Sequence, residues 1–194
     1  MKKIIIFLAF VLLAASYGNA TPGAIYFGVQ GGYEHSDHNI GNWAQSLSYD
    51  TNFTVWGLSL GADINSSLRT ELAYSHKNAK EDIFDFRSEF GELMPEDIKE
   101  KITQQTLLIN IFFYLLKNTR IQPFIGAGAG IGWVEVEHLN NYQKFAYAGY
   151  LGVDYLLTEH LVVNLMGTYN STGSYKYFSH NKNWGATVGA RYYF

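Results

Sequence analysis

Three serine–histidine neighbours occur in a chain with six histidines and no cysteine: His35-Ser36, Ser75-His76 and Ser179-His180. A hydroxyl nucleophile needs a base within hydrogen-bond reach and a third group to orient that base. On an extended strand adjacent side chains point to opposite faces, so such pairs cannot cooperate there. His35, His38, His76, His138 and His180 fall in the polar connections between strand-like stretches or at their edges. Imidazoles gathered this way suit a transition metal or an acid-sensing role. Their spacing follows no metal-binding motif, however. Without cysteine there is neither a thiolate zinc site nor a disulfide framework. No catalytic, cofactor or metal set is expected.

A second group is charged or amide: Glu71, Asp154, Asn164 and Arg191, with Arg69 nearby. The first four each lie three residues from the end of an alternating stretch, on its polar side. The elements that must position them are strands. Period-two alternation rich in aromatic, β-branched and glycine residues covers residues 24–34, 53–64, 68–77, 102–115, 121–135, 144–157, 161–170 and 183–194. Beyond residues 1–20 the longest apolar run, residues 107–116, has ten positions and is interrupted by Asn110, against about 20 for a membrane helix. Connections alternate between short (65–67, 117–120, 158–160) and long and polar (35–52, 78–101, 136–143, 171–182). Short turns at one end and long loops at the other are what an up-and-down transmembrane barrel requires.

The faces divide in the matching sense. In the last stretch Trp184, Ala186, Val188, Ala190, Tyr192 and Phe194 share one side, and Gly185, Thr187, Gly189, Arg191 and Tyr193 the other. Arginine facing lipid at mid-membrane is destabilising by about 2–4 kcal/mol, so the apolar set must point outward. Residues 121–135 divide likewise, with Ile125, Ala127, Ala129 and Ile131 out and Phe124 and four glycines in. Leu107, Ile109, Ile111 and Phe113 point out opposite Gln104, Thr106 and Asn110. Leu68, Leu72 and Tyr74 point out opposite Arg69, Glu71 and Ser75. A soluble ligand-binding barrel would be apolar inside instead. Tyr33, Trp56, Tyr74, Trp133, Tyr147, Tyr169 and Trp184 fall at strand ends as an interfacial aromatic girdle would.

Composition agrees with this reading. The chain has 194 residues, suiting one domain, with 16% aromatic residues and a formal charge of -3. That charge gives no basic surface for nucleic acid. Mean hydropathy of -0.08 is compatible with a barrel, whose alternation averages out. Residues 1–20 read as a cleaved signal peptide: Lys2 and Lys3, an apolar run over 4–15, then Gly18 and Ala20 before the cut. The expected domain is residues 21–194.

The segments 121–135 (IQPFIGAGAGIGWVE), 68–75 (LRTELAYS), 145–169 and 188–194 (VGARYYF) together resemble the eight-stranded outer-membrane barrels of Gram-negative bacteria, the OmpA/OmpX-like and opacity-type surface antigens. The resemblance implies an outer-membrane location, contact with outer-membrane lipid and lipopolysaccharide, a monomer, and recognition by the barrel-assembly machinery through the terminal Tyr192 and Phe194. It brings in barrel enzymes too, but the His-x-Ser pattern of the lipid A deacylases is absent. The expected function is a non-enzymatic surface protein in envelope integrity, adhesion or host interaction. A small gated pore is the alternative, with a lipid A-modifying enzyme more distant. An eight-stranded interior is just wide enough for side chains, so Arg69, Glu71, Asp154, Asn164 and Arg191 are expected to form a polar plug. Trp43, Tyr49, Phe84, Phe86, Phe90, Tyr175, Tyr177 and Phe178 are aromatics in polar loops. That composition suits contact with a host or neighbouring-cell ligand.

Overall fold

The computed structural model describes residues 25–42, 45–82, 99–116, 119–136, 142–173 and 181–194. Eight strands run Ile25–Asn42 (β1), Gln45–Asp63 (β2), Leu68–Asp82 (β3), Lys99–Tyr114 (β4), Ile121–Val136 (β5), Tyr142–Leu156 (β6), Leu161–Thr172 (β7) and Asn181–Tyr193 (β8). Each pairs antiparallel with the next, and β8 pairs with β1 to close the barrel. Closure leaves no edge, which hydrocarbon surroundings demand because lipid cannot satisfy free backbone groups.

The stagger follows from the register. Partners run from Ile25 through Ala62, Thr70, Ile111, Ala127, Gly149, Tyr169 and Trp184 back to β1 at His35. The return lies ten positions along, 35 minus 25. Strands therefore tilt, and a ring at constant height shifts by a little over one residue per strand.

At the turn end, side chains cap the backbone. Asn65 Oδ1 accepts from the amides of Ser67 (2.8 Å) and Leu68 (2.9 Å). Thr158 Oγ1 accepts from those of His160 (3.3 Å) and Leu161 (3.0 Å). The Phe194 amide donates to the Ile25 carbonyl at 3.0 Å, fastening the last residue across the seam.

The outer face carries Val29, Leu58, Ile111, Ile125, Leu151, Leu165, Val188, Tyr192 and Phe194, all exposed. The inner face buries Tyr26, Phe112, Phe124, Arg69, Lys77 and Gln104. The alternation assigned from the sequence is thus the one observed. Two inward glycines make room for the largest rings. A Cβ on Gly126 would come 2.4 Å from Phe112, and one on Gly152 2.6 Å from Phe124.

Several strands run farther toward the loop end than alternation indicates. Of residues 35–52, expected as a loop, 35–42 extend β1 and 45–52 extend β2, and the two pair as far as Asn42 opposite Gln45. β3 and β4 likewise pair to Asp82 opposite Lys99. The reason is physical: beyond the apolar band both faces meet polar surroundings, so the ladder continues without an alternating pattern to mark it. Residues 1–20 and the aromatics Trp43, Phe84, Phe86, Phe90, Tyr175, Tyr177 and Phe178 lie outside the described residues. Tyr49 holds a position on the extended part of β2, opposite His38.

Candidate functional site: two polar layers in the lumen

The first layer sits near the turn end. Arg69 on β3, Asp154 on β6 and Arg191 on β8 point inward and are nearly fully buried. Asp154 Oδ2 accepts from Arg69 Nη1 at 3.2 Å and from the Tyr114 hydroxyl at 2.5 Å. It also pairs with Arg191. Tyr114 in turn accepts from Arg69. The Arg69 guanidinium lies 4.2 Å from the Phe112 ring centre, with Tyr114 and Phe124 at 5.3 and 5.4 Å. A planar, weakly hydrated cation suits such a stacked site better than an ammonium would. Glu71 belongs to an adjoining arm, accepting from Tyr26 (2.6 Å) and from Asn110 Nδ2 (3.0 Å). Tyr150 extends that arm by donating to Asn110 Oδ1 at 3.2 Å.

Sequence spacing thus brings Arg69, Asp154 and Arg191 into direct contact and leaves Glu71 beside them with its own donors. Asn164 lines a space of about 10 Å³ with Arg69, Glu71 and Arg191. Its buried Oδ1 has no hydrogen-bond partner.

The second layer, toward the loop end, was not anticipated. Lys77 on β3 is buried and pairs with Glu34 on β1. Its Nζ also donates to Asn170 Oδ1 at 2.6 Å. Glu34 accepts further bonds from Thr168 (3.0 Å) and Asn170 (2.9 Å). Asn183 Nδ2 donates to Asn170 and to Gln104, each at 3.0 Å, and Gln104 donates to Thr172 at 2.6 Å. The network joins five strands across the lumen. Inward parity places Glu34, Lys77 and Asn170 there, but all three stand at the ends of the stretches read from the sequence. Beside this layer lies a cavity of about 30 Å³, lined by Gln30, Glu34, Ser75, Lys77, Thr106, Tyr150 and Thr187 among others. That is space for about two water molecules.

The serine–histidine pairs do not assemble where they are described. Ser75 faces inward and bonds Thr106 at 2.6 Å, whereas His76 packs outside against Trp56, ring centres 5.2 Å apart. Ser36 is buried, while His35 packs against Trp184 at 5.3 Å and its Nδ1 lies 3.1 Å from Asn52 Oδ1. The β2 partners of the two histidines, Asn52 and Trp56, are four positions apart. Two strand spacings and four residue rises separate the imidazoles by roughly 16 Å, too far to share a metal.

The chain matches, over residues 5–194, a family described as the outer membrane protein beta-barrel domain. No curated protein matches the sequence. Among solved structures it is similar to Neisserial surface protein A, with 17% identity and TM-score 0.59, covering 87% of this chain and 97% of that one. The attachment invasion locus protein Ail of Yersinia pestis, solved with a heparin analogue, gives 12% identity and TM-score 0.51, covering 87% and 99%. OprG of Pseudomonas aeruginosa gives 17% identity and TM-score 0.54, covering 91% and 99%. At these identities the likeness is one of fold. The family match, the closed eight-stranded ladder and the apolar exterior agree, and the chain belongs to the outer-membrane β-barrel family.

Proposed function

We propose that this chain is a non-enzymatic surface protein of the outer membrane, acting in adhesion, host contact or envelope integrity through its extracellular end. The observation that carries this reading is the lumen. Two polar networks occupy it, one above the other, each built from nearly buried side chains that bond one another across the barrel. Such an interior serves as a polar plug that holds the strands together, and it leaves the exposed ends for recognition. Buried charges of this kind must be paired, and Arg69, Arg191 and Lys77 each sit against a carboxylate. The neighbours' names point the same way, one being a surface protein and another an attachment and invasion protein. The aromatics of the long connections, Phe84, Phe86 and Phe90 together with Tyr175, Tyr177 and Phe178, are the contact residues in this reading. So are Trp43 and Tyr49.

The test is cell binding by the intact protein and by a variant whose four extracellular connections are trimmed to turns. The trimmed variant should fold, shown by heat-modifiable mobility in SDS, and lose binding. Equal binding by both would contradict a role for the loops.

A further inference from the structure

Two histidines that carry no part of the lumen networks face the other way. His35 on β1 and His76 on β3 are half-buried on the outside of the barrel, each packed on a tryptophan. Tyr33, Trp56, Tyr74 and Trp184 form the loop-end aromatic girdle, and girdles sit at headgroup level. His35 is two residues beyond Tyr33, His76 two beyond Tyr74, and Lys182 two beyond Trp184. The stagger keeps these positions together in height. Ten residues over eight strands lower the β3 residue at the height of His35 by two to three places from its ladder partner. That partner is position 80, so the level falls between 77 and 78, next to His76. On β8 the same rule places Lys182 at the height of His35.

The geometry points to an acid-strengthened binding band for phosphorylated lipid of the outer leaflet, made by His35, His76 and Lys182 on the β8–β1–β2–β3 face. Between them the outward positions are Asn52 and Thr54, which add neutral hydrogen-bonding groups. One rung farther from the girdle, Asp37 and Asp50 hold partnered positions on β1 and β2, with Lys182 opposite Asp37, and Lys80 and Lys101 are partners on β3 and β4. Tyr33 and Tyr74 are ionisable groups of the same face at girdle level, and Tyr192 lies at its turn end. An imidazolium is an N–H donor with full charge, and a phosphoryl oxygen is its natural acceptor. Histidine as a residue type gains its charge between neutral and mildly acidic pH, which is the physical source of the acid dependence. The inference rests on the outer-membrane reading.

The experiment compares the mature chain reconstituted in nanodiscs holding bisphosphorylated lipid A with the same chain in lipid A stripped of its phosphates. The unfolding temperature is read by heat-modifiable mobility at pH 7.5 and pH 5. With phosphates present, acidification should raise the midpoint by about 2–4 °C, the shift that roughly 1 kcal/mol produces in a chain of this size. That rise should vanish in phosphate-free lipid and in the double variant His35→Gln, His76→Gln. Lys182→Gln should lower the midpoint at both pH values while keeping the rise. An equal rise without phosphates or without the histidines, or no rise at all, would overturn the proposal. Failure of the outer-membrane reading itself would show differently, as the absence of any heat-modifiable form in detergent.

Discussion

The two lumen layers solve one problem by different chemistry. Near the turn end one carboxylate, Asp154, is shared by two arginines and a tyrosine, walled by Phe112 and Phe124. Toward the loop end a lysine and a glutamate sit among amides and hydroxyls, beside a cavity that admits water. The first layer is tighter and denser in charge, so each group depends on its partners. The second is a distributed mesh in which Glu34, Lys77, Asn170, Asn183 and Gln104 each bond two partners or more. Two layers of the same barrel therefore differ in how much a single truncation should matter.

Replacing Arg69 with Ala should have the largest effect. It removes a stacked cation, a partner of Asp154 and a donor to Tyr114, and it opens a cavity against Phe112 and Phe124, with Asp154 left to Arg191 and Tyr114. Breaking a buried pair in this way typically destabilises by about 3–5 kcal/mol. The urea midpoint in detergent, scored by heat-modifiable mobility, should fall accordingly. Lys77→Ala should be milder, about 1–3 kcal/mol by the same assay, because Glu34 keeps Thr168 and Asn170 as donors. Equal losses for the two variants would mean that the layers do not differ as described.

A still smaller effect separates the interior of the first layer from the exterior beside it. Gly126→Ala should destabilise by about 1 kcal/mol, the lower end of overpacking penalties, since the Phe112 ring can tilt away. Gly149→Ala on the lipid side meets nothing within 4 Å and should leave the midpoint unchanged. A loss at Gly149 rather than Gly126 would invert the assignment of faces.

Removal of Phe194, which is 67% exposed on the outer face, should also have a small effect on stability. Its loss should cost well below the roughly 1.5–3 kcal/mol of a fully buried large side chain. As a terminal assembly signal it should matter more in cells: the truncated chain should accumulate in the periplasm yet refold in detergent. Normal membrane levels in cells would contradict that role.

The first layer was legible in the sequence and the second was not, for a physical reason. Arg69, Glu71, Asp154 and Arg191 sit among apolar outward residues, so alternation marks both their strand and their face. Glu34, Lys77 and Asn170 stand where the apolar band ends, and a polar residue there reads equally well as the start of a loop. Register adds a second obstacle. Lys77 meets Glu34 across the interposed β2, a relation fixed by the stagger of the whole barrel rather than by local spacing. The aromatic walls were half visible: Phe124 was read as inward, whereas Tyr26 and Tyr114 became lumen ligands only once the barrel closed. Equal counting from the turns also grouped Asn164 with the charged residues, and it proves to be a neighbour of that network without a bond to it.

The most direct test of the plugged lumen is electrical. Purified, folded protein inserted into planar bilayers should give no stable single-channel steps, because among the described residues the two networks cross the lumen and border spaces of about 30 and 10 Å³. Reproducible unitary steps from the wild-type chain would contradict the plug and make the lumen a pore.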